Sequence, residues 1–184
     1  MDLVDSLDHT FRHAHGVIGN IRAGQYDNKT PCEEWTVRDL LEHTIGVVAG
    51  IGATASGEER TPFELGADPA AQFSDVAAST LAAWRSPGVF DQMLDIGSGP
   101  MPGRVLAAIN LLDTTTHTWD LACATGQSTH LPDDIAEAAL EASRATISAE
   151  LRAGRFGPEQ PVAAGAGPTE QLVAFLGRQH DAYG

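Results

Sequence analysis

The sequence is short of cations and cysteines and has no long uninterrupted apolar run. Eleven lysines and arginines stand against 25 aspartates and glutamates, a formal charge of −14 over 184 residues. That field repels nucleic-acid phosphates and anionic lipid surfaces, so neither nucleic acid nor membrane is an expected partner. Two cysteines, Cys32 and Cys123, are too few for a disulfide framework. A cytoplasmic protein with reduced thiols is the expectation. The most apolar stretch, residues 44–55, is broken by glycines and too short to span a bilayer. The opening MDLVDSLDHTFRHAHGV lacks a basic leader followed by an apolar block, so no secretory signal is expected. No Gly-rich phosphate loop or GxSxG elbow stands in a strand–turn–helix setting, which argues against nucleotide and serine-hydrolase chemistry.

What is present has helical periodicity. Hydrophobic residues make up 42% and charged residues 20% of the chain, the balance of a globular protein. Residues 1–184 are expected to form one helical-bundle domain, with about 152–184 as an extended tail carrying a short last helix. Leu3, Leu7, Phe11, Ala14, Val17, Ile18 and Ile21 recur at three- and four-residue steps and predict a first helix ending near Gly24. After the loop YDNKTPCEEW, Thr36 and Asp39 resemble a capping box that opens a second helix. Val37, Leu40, Leu41, Thr44, Val47, Val48 and Ile51 form its apolar stripe. A third helix is expected over about 70–85, and a fourth over about 103–125 with Gly126 as its left-handed cap. A fifth opens at Pro132 and runs to about Leu151. The linker-like RFGPEQPVAAGAGP and a short helix in TEQLVAFLGR complete an all-α bundle of four main helices with long crossovers.

The stretch DTTTHTWDLACATGQ interrupts the fourth helix with polar residues. Val105, Ile109, Leu112, Thr116, Trp119 and Cys123 define the seam expected to face the bundle. Asp113 and His117 stand beside that seam, four residues apart, so their side chains meet on one face. A carboxylate and an imidazole so placed can share a divalent metal ion. His43, at the edge of the second helix's apolar stripe, is the candidate third ligand. Two histidines and one carboxylate with open positions suit zinc, nickel or iron(II). The same spacing also occurs on solvated helix faces, and a histidine beside an apolar stripe is often only a packed residue. Asp120 is read as an orienter of His117 or a structural hydrogen-bonding residue, in preference to a fourth ligand. His9 and His13 are also four apart, with His15 nearby, but no carboxylate completes a set. Cys32 precedes a helix whose positive end could activate a thiol; several residues separate it from the cap, and packing is the expected role. Cys123 reads as core.

Three segments, TPCEEWTVRDLLEHTIG, MPGRVLAAINLLDTTTHTWDLACATGQ and FGPEQPVAAGAGPTEQLVAFLGR, resemble one family. It is the actinobacterial single-domain branch of DinB-like proteins related to mycothiol-dependent maleylpyruvate isomerase. The resemblance implies a DinB-like four-helix bundle with a long crossover and short C-terminal helical additions. It also implies a metal held by His43, Asp113 and His117, with zinc as the suggested ion and nickel a credible one. The isomerase has glutamate where this chain has Asp113, one methylene shorter. It also carries a further C-terminal domain where this chain has a short helical tail, so maleylpyruvate isomerisation itself is not expected. The implied function is a metal-dependent enzyme using a mycothiol-like thiol for transfer to, or isomerisation of, a small electrophile. The alternative is a non-catalytic metal- or small-ligand-binding bundle. A homodimer is compatible with either.

Overall fold

The computed structural model describes residues 2–32, 34–153 and 156–178, with the side chains of 150 and 151 outside that description. Glu33 of the loop before the second helix, Arg155 at the start of the linker, and residues 179–184 of the tail therefore lie outside the described residues. Helices dominate, as the periodicity predicts. They are α1 (Leu3–Gly19), α2 (Val37–Ser56), α3 (Pro69–Trp84), α4 (Gly103–Thr125), α5 (Asp133–Thr146), α6 (Ala149–Arg152) and α7 (Pro168–Phe175). Among the described residues the strands are two short pieces, β1 (Met93–Leu94) and β2 (Met101–Pro102), paired antiparallel. The architecture is an all-α, DinB-like bundle.

The helices α1, α3, α2 and α4 pack in a ring in that order, so α1 stands diagonally from α2, and α3 from α4. The connections 20–36 and 85–102 are therefore crossovers at the bundle ends. Local chemistry sets the helix limits. Thr36 caps α2 by accepting from the Asp39 N–H, while the Asp39 carboxylate accepts from the Thr36 N–H at 2.9 Å. Gly52 lets α3 approach α2 closely: a Cβ there would meet the Thr80 Oγ1, which donates to the Val48 carbonyl.

Two helix ends differ from the sequence-based expectation. The first helix stops at Gly19 rather than near Gly24, because Asn20 caps it with its side-chain amide on the Gly16 carbonyl at 2.9 Å. Gly24 falls instead in a 3-10 turn, Ala23–Gln25. The fifth helix stops at Thr146, not Leu151. Ile147 turns extended (φ −87°, ψ 97°) and packs into the apolar cluster beneath α5, and α6 restarts the helix at Ala149. Pro132 serves as the residue before the first helical turn, not within it.

The expected seam of α4 is corrected more substantially. Leu106, Ala107, Leu111, Leu121 and Ala122 face the bundle core. Leu112 and Trp119 instead face a second cluster with Leu131, Ala139, Leu140, Leu172, Val173 and Leu176 from the α5 and α7 side. The helix is sandwiched between two apolar bodies, so no single stripe marks its inner face. Polar residues on it, including Asn110, Thr114, Thr115 and Asp120, are buried as a result.

The crossover 20–36 is tied to the C-terminal end of α4. Gln25 Nε2 donates to the Thr125 carbonyl at 2.7 Å, and Asn28 Nδ2 donates to the Ala124 carbonyl at 2.8 Å. These carbonyls belong to the last turn of a helix, which has no backbone donors of its own left to satisfy them. The anchoring lays Cys32 and Trp35 alongside α4, where the polar stretch lies.

Candidate metal centre

His43 leaves α2 toward α4, and Asp113 and His117 leave α4 toward it on successive turns. Asp113 Oδ1 lies 3.6 Å from the Nε2 of His43 and 3.6 Å from the Nε2 of His117. The two imidazole rings meet edge to face with centroids 4.9 Å apart. The structure thus brings together the three residues singled out as candidate ligands, with one donor atom from each within 4.8 Å of the others. A separation of 3.6 Å is too long for a hydrogen bond. It matches donors sharing one ion, since bonds of about 2.0–2.2 Å at a tetrahedral angle put neighbouring donors about 3.3–3.6 Å apart. The shorter Asp113 side chain therefore reaches both histidines equally.

A second observation fits a cation here. Asp113 Oδ2 is buried and has no hydrogen-bond partner among the described residues, and an unmatched carboxylate oxygen is costly inside a protein. Burial pushes the Asp113 carboxyl up, but the nearby positive charges of His117 and His43 outweigh it and hold the pKa low. Burial likewise disfavours charge on His117. The Asp113 carboxylate and the hydrogen bond to Asp120 overcome this and raise its pKa to about 10. The cluster is thus a well for positive charge, and two imidazoles with a carboxylate are a fitting donor set for zinc or nickel.

Behind His117 lies a second set of contacts. His117 Nδ1 donates to Asp120 Oδ2 at 3.0 Å, so its Nε2 is the atom that faces Asp113. Asp120 is fully buried. Arg178 grips both of its oxygens, with Nε on Oδ1 and a terminal nitrogen on Oδ2, each at 2.7 Å. Burial raises the Asp120 pKa, and the Arg178 charge and hydrogen bonds more than reverse this, to about 2. Cys32 donates its thiol to Asp120 Oδ2 at 3.5 Å and lies 3.9 Å from His117 Nδ1. Cys32, His117 and Asp120 are close enough to share an ion, but the Arg178 guanidinium already supplies a cation at that carboxylate. Trp35 closes one side, its ring centroid 4.6 Å from that of His43 and 6.2 Å from that of His117.

The remaining candidates lie apart from this centre. His9 pairs with Asp134 of α5 at 2.8 Å near the surface, and burial lowers the pKa of His13. Among the described residues neither His9, His13 nor His15 joins a cluster of potential ligands. Burial, reinforced by the Asp120 charge, pushes the Cys123 thiol up to about 12, leaving it unreactive. Sequence reasoning missed the place of Cys32 and Trp35 in the centre, and it missed Arg178 altogether. A lone arginine after the apolar AFLG, in a chain poor in cations, was the available signal for Arg178.

Residues 11–122 match the family described as the mycothiol maleylpyruvate isomerase N-terminal domain. Two uncharacterized proteins, from two strains of Mycobacterium tuberculosis, are each 37% identical over 167 residues, covering 88% of this chain and 90% of theirs. No solved structure matches significantly. Among the described residues, no helix is long and apolar enough to cross a membrane. The chain belongs to the mycothiol maleylpyruvate isomerase N-terminal domain family, a mycothiol-associated group of DinB-like metal-binding bundles.

Proposed function

We propose that this protein is a divalent-metal-dependent enzyme in which His43, Asp113 and His117 hold a zinc or nickel ion and a mycothiol-like thiol is the co-substrate. The convergence of His43 Nε2, Asp113 Oδ1 and His117 Nε2, beside a buried Asp113 Oδ2 with no partner among the described residues, carries the reading. A bound ion would lower the pKa of a coordinated thiol and so supply a thiolate at neutral pH. The chain's own residues supply the rest. His43 and His117 present neutral nitrogens, and Asp113 contributes the one negative charge among the three ligands. Trp35 excludes water from one side and offers an apolar wall for the thiol's carbon stem. Transfer to, or isomerisation of, a small electrophile is the reaction class that such a thiolate serves.

Elemental analysis and zinc or nickel titration of the purified protein, beside His43→Ala and His117→Ala variants, test the site. One ion per chain is expected in the wild type and much weaker binding in each variant. Absence of stoichiometric binding by the wild type would sink the metal reading. Calorimetric titration of mycothiol into loaded and metal-free protein tests the thiol. Binding only to the loaded form is expected, and equal or no binding would leave a non-catalytic metal-binding bundle.

A further inference from the structure

The three candidate ligands and Asp120 lie within the family match, which ends at residue 122. The guanidinium that holds Asp120 comes from residue 178, beyond α7. We propose that Arg178 is a positioning residue of the metal centre: it locks Asp120 in the orientation that keeps the proton of His117 on Nδ1 and turns Nε2 toward the ion. This inference rests on the metal site proposed above.

The geometry distinguishes this role from simple docking of the tail. The tail is already docked by Leu172, Val173 and Leu176 against Leu112, Trp119 and Leu131, and by Arg152, which donates to the Gly157 and Phe175 carbonyls at 2.9 and 2.8 Å. A buried ion pair is a poor way to add stability, because both charges must leave water. The helix end is nevertheless built to deliver the guanidinium. Gly177 takes a left-handed turn (φ 78°), and the Arg178 N–H closes back onto the Val173 carbonyl at 2.9 Å. The guanidinium then meets Asp120 with two parallel hydrogen bonds, a fork that fixes the carboxylate plane as well as its place. With Oδ1 and Oδ2 both engaged, Asp120 cannot rotate, and Oδ2 stays 3.0 Å from His117 Nδ1. Partners behind a metal-bound histidine set its tautomer and ring orientation in this way.

The test compares zinc affinity, by competition with a chelating dye, in wild type, Arg178→Gln, Arg178→Lys and Arg152→Gln. Arg178→Gln is expected to bind zinc roughly 10–100-fold more weakly. Arg178→Lys keeps the charge but loses the fork, and should fall between that variant and wild type. Arg152→Gln loosens the same tail without touching Asp120, and should bind within about threefold of wild type, well inside the range ascribed to a lost orienting partner. Proton–nitrogen NMR of the zinc-loaded protein should show a slowly exchanging His117 Nδ1–H that is lost or exchange-broadened in Arg178→Gln. Wild-type affinity in Arg178→Gln or Arg178→Lys overturns the proposal while the metal reading stands. Equal losses in Arg152→Gln and Arg178→Gln overturn it in favour of tail docking. If Arg178→Gln does not fold, Arg178→Lys decides. Failure of wild type to bind zinc defeats the metal reading itself, and this proposal with it.

Discussion

At the residue scale the centre depends on Asp113, which carries its negative charge and makes contact with both histidines. Its Oδ1 stands 3.6 Å from each Nε2, while Oδ2 is buried with no hydrogen-bond partner among the described residues. The extra methylene of a glutamate is therefore not needed to span the gap between α2 and α4. The charge is needed. Asp113→Asn keeps the shape and one carbonyl oxygen but removes the anion that would balance a bound ion. It should weaken zinc binding by at least about 100-fold, beyond the roughly 10–100-fold ascribed to partners behind a ligand. Asp113→Glu restores the charge and should recover most of that loss. Competition titration with zinc measures both. An Asp113→Asn variant that binds as tightly as wild type would exclude this carboxylate as a ligand.

At the scale of elements, the site depends on how firmly α2 presents His43, and that begins at its cap. The reciprocal bonds between Thr36 and Asp39 satisfy two donors at the helix start, and Thr36 lies one residue after Trp35. Thr36→Ala should cost about 1 kcal/mol of stability, within the range of about 0.5–2 kcal/mol for lost caps. Chemical denaturation reads this as a lower midpoint with an unchanged slope. That cap and the limits of α4 were legible in the sequence, because both rest on neighbours along the chain: Thr36 with Asp39, and Gly126 with the turn before it. The pairing of Asp113 with His117 was legible for the same reason, since four residues make one turn. The inner face of α4 was not. Periodicity finds a face only when the opposite face is wet, and here Leu112 and Trp119 are as buried as Leu106 and Leu111. Nor could spacing reveal Arg178, whose partner is 58 residues away and is brought to it by the packing of α5 on α4 and of α7 on α5.

At the scale of the whole molecule, the buried charges make stability depend on pH in a way that metal should change. Asp120 has its pKa depressed from 3.8 to about 2. Its contribution is therefore present above pH 3.8 and lost as pH falls through 2, on the order of 2 kcal/mol for a shift of this size. His117 has its pKa raised from 6.5 to about 10 in the metal-free protein. Its contribution is complete below pH 6.5 and lost as pH rises through 10. The metal-free protein should therefore be most stable between about pH 4 and 6.5. In the proposed site the ion would take the nitrogen that this proton occupies and displace it, so affinity should rise with pH. At free metal near 100 times the dissociation constant the stabilisation is about 2.7 kcal/mol, or roughly 5–10 °C in melting temperature for a chain of this length. Scanning calorimetry with zinc or with a chelator should show the gap between loaded and metal-free protein widening from pH 6 to pH 8. A gap that is constant or narrows over that interval would mean that the His117 nitrogen facing Asp113 is not where the ion binds.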